Sequence, residues 1–176
     1  MTFRVVLYTL VALTAFGAGV WLSTTRHVDA PNITEASASA AILALSLPDL
    51  DNKPQMLKQW RGKVLVVNFW ATWCTPCRDE IPIFVKLQEK YRTKGLQFVG
   101  ISIDQVDKTS EFARNFSINY PSLIGTFDTV EISRKAGNKR RVLPYTLVLD
   151  RKGQIVATEP GGLTQEKLES LVNPLL

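Results

Sequence analysis

The hydrophobic positions change rhythm along the chain, and each change marks an element. Val64-Leu65-Val66-Val67 is a continuous apolar run, too unbroken for a half-exposed strand and suited to one buried on both faces. From about Thr75 to Tyr91 the rhythm turns helical, with Ile81, Phe84, Val85 and Leu87 at three- and four-residue steps. Gly95 ends that helix, and Leu96 to Ile103 is a second apolar strand. Strand, helix and strand make a right-handed parallel unit with a long crossover. A further helix over Ser110–Phe116 puts Phe112 and Phe116 on one face, and Thr129–Lys135 is a short helix broken by Gly137-Asn138. Tyr145–Asp150 is β-rich, Arg151-Lys152-Gly153 is a turn, and Gln154–Thr158 returns antiparallel. After Gly161-Gly162 a last amphipathic helix runs from about Thr164 to Val172, with Leu163, Leu168, Leu171 and Val172 expected against the sheet. At the front, Leu45–Pro54 reads as strand, turn and return strand, and Leu57–Trp60 as one helical turn.

The N-terminal pattern differs in kind. Val5 to Leu22 contains no charged residue, and eighteen residues at 1.5 Å rise span about 27 Å, just enough for a hydrocarbon core. Arg4 and the amino terminus hold its start on the cytoplasmic side, and Trp21 suits the far interface. An uncleaved anchor over residues 1–22 is the favoured reading, and a cleaved signal peptide is the alternative. The small residues Gly17-Ala18-Gly19 lie inside the apolar run, and Ala38-Ser39-Ala40 lies far beyond it. Either way the rest of the chain is exported. Residues 23–43, rich in Ser, Thr, Ala and Asn up to Ala41, read as a flexible linker, and residues 44–176 as one domain.

Composition sets the remaining limits. The chain has 176 residues, 45 % hydrophobic and 21 % charged, with room for one well-cored domain and a short extension. Its formal charge of +5 comes without an aromatic-interleaved basic stripe, which argues against nucleic acid. The cations that do cluster, Arg134, Lys135, Lys139, Arg140 and Arg141, read first as a solvated charged loop and alternatively as a patch steering acidic partners.

Only two cysteines occur, Cys74 and Cys77, and they sit where strand becomes helix. A structural disulfide framework is therefore excluded, and a four-ligand zinc site lacks partners. The lone histidine, His27, lies in the polar tether and reads as solvated. Arg78 stands where covalent haem attachment would need a histidine, so no metal or cofactor is expected. Near the N-cap, unpaired N–H groups and the helix dipole favour an anion at Cys74, which lowers the thiol pKa and supplies the nucleophilic thiolate. Cys77, one turn on, reaches back to close a disulfide. Pro76 fits the first turn because its missing N–H has no partner there. Trp before the pair and Pro within it make a redox dithiol the reading.

Asn68-Phe69-Trp70-Ala71-Thr72-Trp73-Cys74-Thr75-Pro76-Cys77 resembles the thioredoxin superfamily, specifically its membrane-associated TlpA/ResA-like branch, over roughly residues 45 to 176. The resemblance implies an α/β thioredoxin-like fold, a central mixed sheet flanked by helices, with an N-terminal β-hairpin extension and one preceding transmembrane helix. It places an insert, Ser110–Leu123, after the βαβ unit. It implies a cis Leu143–Pro144 bond opposite the dithiol, which exposes the Leu143 backbone to pair with substrate. Trp73, Thr75, Pro76, Leu143 and Pro144 are then the expected substrate contacts. Glu80 is the implied proton-transfer group, since the superfamily's buried aspartate is here Asn68. A glutamate solvated on the first turns of its helix is the alternative. Trp70 is expected in the core, and Pro82 to kink the helix.

The expected activity is thiol–disulfide exchange by a bacterial, single-pass membrane protein with its catalytic domain on the periplasmic or extracellular side. Its expected partners are exported disulfide proteins such as apocytochromes c, a membrane reductant of the thiol-relay type, and the membrane itself through the N-terminal helix. An oxidant or isomerase of exported proteins is the main alternative. A peroxiredoxin lacks its Pro-x-x-x-Thr/Ser-x-x-Cys context here, and a copper chaperone its Cys-x-x-x-Cys and distal histidine.

Overall fold

A computed structural model of the protein describes residues 33–176. In chain order the elements are α1 (Ile33–Leu43), β1 (Ser46–Pro48), β2 (Pro54–Met56), β3 (Val64–Trp70), α2 (Thr75–Tyr91), β4 (Leu96–Ser102), α3 (Val106–Asn115), β5 (Ser122–Ile124), α4 (Phe127–Lys135), β6 (Tyr145–Leu149), β7 (Ile155–Pro160) and α5 (Gln165–Val172). The five-stranded sheet has the order β5-β4-β3-β6-β7. β3 pairs parallel with β4 and antiparallel with β6, so the sheet is mixed, as the resemblance implied.

The central strand explains its own composition. All seven residues of β3 are buried, because helices cover both faces and alternate side chains enter different cores. Leu65, Val67 and Phe69 pack with Ile42, Leu57, Val99, Ile101 and Leu147 on one face. Val64 and Val66 pack with Phe84, Leu87, Phe98, Leu168 and Val172 on the other. Trp70, with 1 % exposure, closes a third cluster with Cys74, Cys77, Ile81 and Phe112. Both ends of β3 therefore matter differently: its start is core, and its end delivers the dithiol.

The hairpin expected at the front is present as β1 and β2, with Leu47 opposite Gln55, and Asp49 bridges to Leu123 on the outer strand β5. Leu57–Trp60 is a 3₁₀ turn. Helix α2 ends through a short 3₁₀ segment at Gly95, φ +92°, where a side chain would also meet the Arg151 guanidinium. Pro82 lies inside α2 and has no N–H to offer the Arg78 carbonyl.

Two expectations are corrected. The linker placed over residues 23–43 is helical from Ile33 onward, and this helix belongs to the fold. Ala38, Ser39, Ile42 and Leu43 are buried, and Ser39 Oγ accepts a 3.0 Å hydrogen bond from the Ile155 N–H on β7. The stretch is built from Ala and Ser, so it carries almost no hydrophobic rhythm, although Ala is the strongest helix former. The helix expected from Ser110 starts at Val106. Its first turn has no buried apolar residue: Val106, Asp107 and Lys108 are exposed, and the inward residue is Thr109, whose hydroxyl pairs with Ser102 Oγ at 2.8 Å. The apolar stretch Val5–Leu22, the first part of the tether and His27 lie outside the described residues. Among the described residues no helix is long and apolar enough to cross a membrane.

Ile42 has no exposed surface, so Ile42→Ala should lower the unfolding free energy by about 2–5 kcal/mol. A chain beginning at Ser46 should likewise unfold at lower urea than one beginning at Pro31. Equal urea midpoints for the two chains would make α1 an appendage rather than part of the core.

Candidate active site

The end of β3 and the start of α2 present the two cysteines. Cys74 is the N-cap of α2 in an extended conformation, φ −86° and ψ 106°, and Pro76 occupies the first turn. Cys74 and Cys77 form a disulfide. Cys77 has no exposed surface and Cys74 keeps 6 %. On reduction, the N-cap position sets the Cys74 sulfur among unpaired helix N–H groups, which favour its thiolate.

The expected substrate contacts surround this pair. Trp73 is 67 % exposed, and Thr75 and Pro76 are exposed beside it. Leu143, half-buried, packs against the cluster that contains both cysteines. The Leu143–Pro144 bond is cis, and the Pro144 carbonyl accepts from the Gly161 N–H at 2.9 Å. Among the described residues neither the N–H nor the carbonyl of Leu143 has a hydrogen-bond partner. The Gly161-Gly162 turn closes the same side: a Cβ on Gly162 would lie 3.5 Å from Pro76 Cβ. On the other side, Thr72 Oγ1 donates to the Asp104 carboxylate, tying the loop before Cys74 to the end of β4.

Glu80 lies beneath the surface. It is 1 % exposed, so it is not a solvated helix residue. Oε1 accepts from Asn68 Nδ2 at 2.8 Å, and Oε2 accepts from the Leu163 N–H at 3.0 Å. Asn68 Nδ2 also donates to Thr146 Oγ1 at 3.0 Å, across the β3–β6 register. One carboxyl group thus links α2, β3 and the turn ahead of α5. Burial pushes the Glu80 carboxyl up to about 7, and the two hydrogen bonds oppose that only in part. A carboxyl that titrates near neutrality, one turn behind Cys77, can take and return a thiol proton.

The resemblance made that carboxyl a candidate from the sequence. Its partners were not accessible in the same way. A backbone N–H such as that of Leu163 has no residue type to announce it, and Thr146 meets Asn68 only through strand register. Of the basic cluster, Arg134 and Arg141 both bind Glu131, the latter at 2.8 Å, whereas Lys139 and Arg140 are exposed on the loop that leads to Pro144.

Comparisons with known proteins agree with this geometry. The sequence profile of the Redoxin family matches residues 28–175. The chain is 30 % identical over 128 residues to the thiol-disulfide oxidoreductase ResA of Bacillus thuringiensis subsp. konkukian (strain 97-27), covering 72 % of each chain. It is 34 % identical over 128 residues to the thioredoxin-like protein YneN of Bacillus subtilis (strain 168), covering 70 % of this chain and 72 % of that one. Among solved structures it resembles a thiol:disulfide interchange protein of the thioredoxin family from Chlorobium tepidum TLS. That match has a TM-score of 0.68 and 28 % identity, and covers 74 % of this chain and 92 % of the other.

The raised Glu80 pKa makes stability depend on pH with a definite sign. Between the ordinary value of 4.5 and about 7, the unfolded chain ionises this group while the folded one holds it protonated. Stability from this group is full below pH 4.5 and is lost as pH rises to about 7, a loss on the order of 3 kcal/mol. Glu80→Gln should remove that slope. Urea unfolding at intervals from pH 4 to 8 checks it, and parallel pH curves for wild type and variant would mean that the carboxyl is not titrating in the fold.

Proposed function

Because the chain belongs to the Redoxin family and is a TlpA/ResA-like thiol-disulfide oxidoreductase of the thioredoxin superfamily, we propose that it is an exported, membrane-tethered reductase of protein disulfides. The observation that carries the reading is the buried Glu80 carboxyl, one helical turn behind Cys77 and titrating near 7. A resolving thiol that must lose its proton away from solvent needs such an acceptor.

The steps follow from the positions of the groups. The Cys74 thiolate attacks one sulfur of a substrate disulfide. That bond breaks, a Cys74–substrate disulfide forms, and the first substrate sulfur leaves as a thiolate and takes a proton from solvent. Cys77 passes its proton to the Glu80 carboxylate and attacks Cys74 Sγ. The second substrate thiolate is released, and Cys74–Cys77 is left oxidised. The substrate gains two electrons and the dithiol loses them. The Cys74–Cys77 disulfide of this structure corresponds to the oxidised form in which that sequence would end. Leu143, with its free backbone N–H and carbonyl beside the cysteines, offers the partner an extended segment to pair with. Trp73, Thr75, Pro76 and Pro144 complete the contact surface. A second dithiol, held in the membrane, returns the pair to its reduced form.

Support for export and tethering is the uncharged run Val5–Leu22. The bacterial membrane, with the catalytic domain on its outer side, is the proposed location. Exported Cys-x-x-Cys-His segments of apocytochromes c are the proposed substrates, since haem attachment needs them reduced.

Cys74→Ser should abolish reduction of an oxidised Cys-x-x-Cys-His peptide, and Cys77→Ser should accumulate mixed disulfides through Cys74, visible on non-reducing gels. Capture by the Cys74 variant instead would reverse the attacking and resolving roles. A protein that oxidises the reduced peptide faster than it reduces the oxidised one would point to the oxidant reading.

The full chain should sediment with membranes and resist carbonate extraction. A mature amino terminus near residue 20, read by mass spectrometry, would replace the anchor with a cleaved signal.

A further inference from the structure

Residues 136–142, ahead of the Leu143–Pro144 bond, take no part in the exchange chemistry, yet they are fixed from within. Asn138, 2 % exposed, accepts from the Val142 N–H at 2.9 Å and donates to the Val142 carbonyl at 3.0 Å and to Ser133 Oγ at 3.1 Å. The Tyr145 hydroxyl donates to the Ala136 carbonyl at 2.8 Å. Gly137, φ +104°, passes so close that a Cβ there would lie 2.6 Å from the Tyr145 oxygen, which excludes any side chain. Arg141 holds a left-handed φ of +51°, a conformation that costs a non-glycine residue free energy. These constraints leave a pocket of about 520 Å³. Val142, Tyr145, Pro160 and Gly161 wall it together with Gly137 and Asn138, and the exposed Lys139 and Arg140 stand at its edge.

Position and charge give this pocket an occupant. Tyr145 follows Pro144 directly, and Gly161 binds the Pro144 carbonyl, so the pocket borders the segment that carries Leu143 and Pro144. Residues 131–141 carry five cations and one carboxylate, in a chain of formal charge +5. That carboxylate, Glu131, is shared by Arg134 and Arg141. Among the described residues Lys139 and Arg140 have no ion-pair partner. An apolar recess with two free cations at its edge complements an apolar side chain next to a carboxylate.

We propose that this pocket is a substrate subsite: it receives an apolar side chain of the partner's extended segment, with an adjacent acidic residue held by Lys139 and Arg140. The proposal rests on the exchange reading, because the segment it holds is the one that carries the disulfide to Cys74. The backbone of Leu143 selects for an extended chain, and the pocket selects among such chains by charge.

The test uses two labelled peptides, each with one internal disulfide, flanked by Leu-Asp in one and Leu-Lys in the other. For wild type the ratio of their kcat/KM values should favour the acidic peptide by about tenfold at low ionic strength and fall toward one at about 0.5 M salt. Lys139→Gln/Arg140→Gln should flatten the ratio, and Lys139→Glu/Arg140→Glu should invert it. Lys58→Glu/Lys63→Glu makes the same change in net charge at the opposite end of β3, on exposed side chains, and should leave the ratio as it was. A remote pair that moves the ratio as far as the loop pair, or a loop pair that leaves it alone, overturns the subsite. Replacing the peptide leucine by glycine should weaken binding several-fold, and no change would refute the apolar half of the proposal. Fluorescence anisotropy on the oxidised protein reads the same preference without any exchange. Selective binding of the acidic peptide with no reduction of either peptide or of hydroxyethyl disulfide would sink the exchange reading and leave the subsite standing.

Discussion

A single carboxyl group, taken out of water and held by two donors, is the constraint that the site depends on. Glu80 loses its hydration and regains only the Asn68 amide and the Leu163 N–H. Burying a charge on those terms is unfavourable, so the group stays protonated up to about pH 7. The same two bonds bring three elements together. Asn68 belongs to the central strand, Glu80 to the helix that carries the cysteines, and Leu163 to the turn that shields Pro76. Removing any one of them would leave a buried polar atom without a partner. The arrangement therefore ties three elements together, and the proton-transfer role proposed for Glu80 rests on the same two bonds.

That carboxyl sits where it does because β3 is covered on both faces. Odd-numbered residues of the strand enter the core under α1, and even-numbered ones face α2 and α5. Asn68 is an even-numbered position, so its amide must point into the layer that holds α2, where Glu80 is the available acceptor. An aspartate at 68 would put a second carboxyl in the same dry space, and two such groups cannot both ionise cheaply. With Asn there, one acid titrates alone. Its proton is then coupled to no second carboxyl at position 68.

Much of this could be read from residue order. The unbroken run Val64–Val67 announced a doubly covered strand, and the helical spacing of Ile81, Phe84 and Leu87 announced α2 to within a residue. Cys74, Cys77 and Glu80 stood at one-turn intervals, which placed all three on one side of that helix. What failed to show was whatever lacked a hydrophobic rhythm. Helix α1 is made of Ala and Ser and packs through only a few larger side chains. The first turn of α3 turns its valine outward, and its inward group is a threonine that hydrogen-bonds rather than one that avoids water. The partners of Glu80 were hidden for another reason. Strand register and a backbone N–H decide them, and neither leaves a mark in local sequence. The cluster from Arg134 to Arg141 was visible, but its division was not: Glu131 takes two of the arginines and leaves Lys135, Lys139 and Arg140 without an ion pair among the described residues.

The two kinds of charge around the dithiol also operate over different ranges. Glu80 acts through burial, where mobile ions do not reach and screening is weak, so its influence on Cys77 should barely respond to salt. Lys139 and Arg140 act from an exposed loop, and their reach is a Debye length, about 8–10 Å under physiological conditions. On the roles proposed, proton handling and partner selection fall to groups that neither share hydrogen bonds nor respond to the same variable. pH sets the first and ionic strength the second. A change of partner can then be made by altering the loop, since nothing in the Asn68–Glu80–Leu163 linkage touches it.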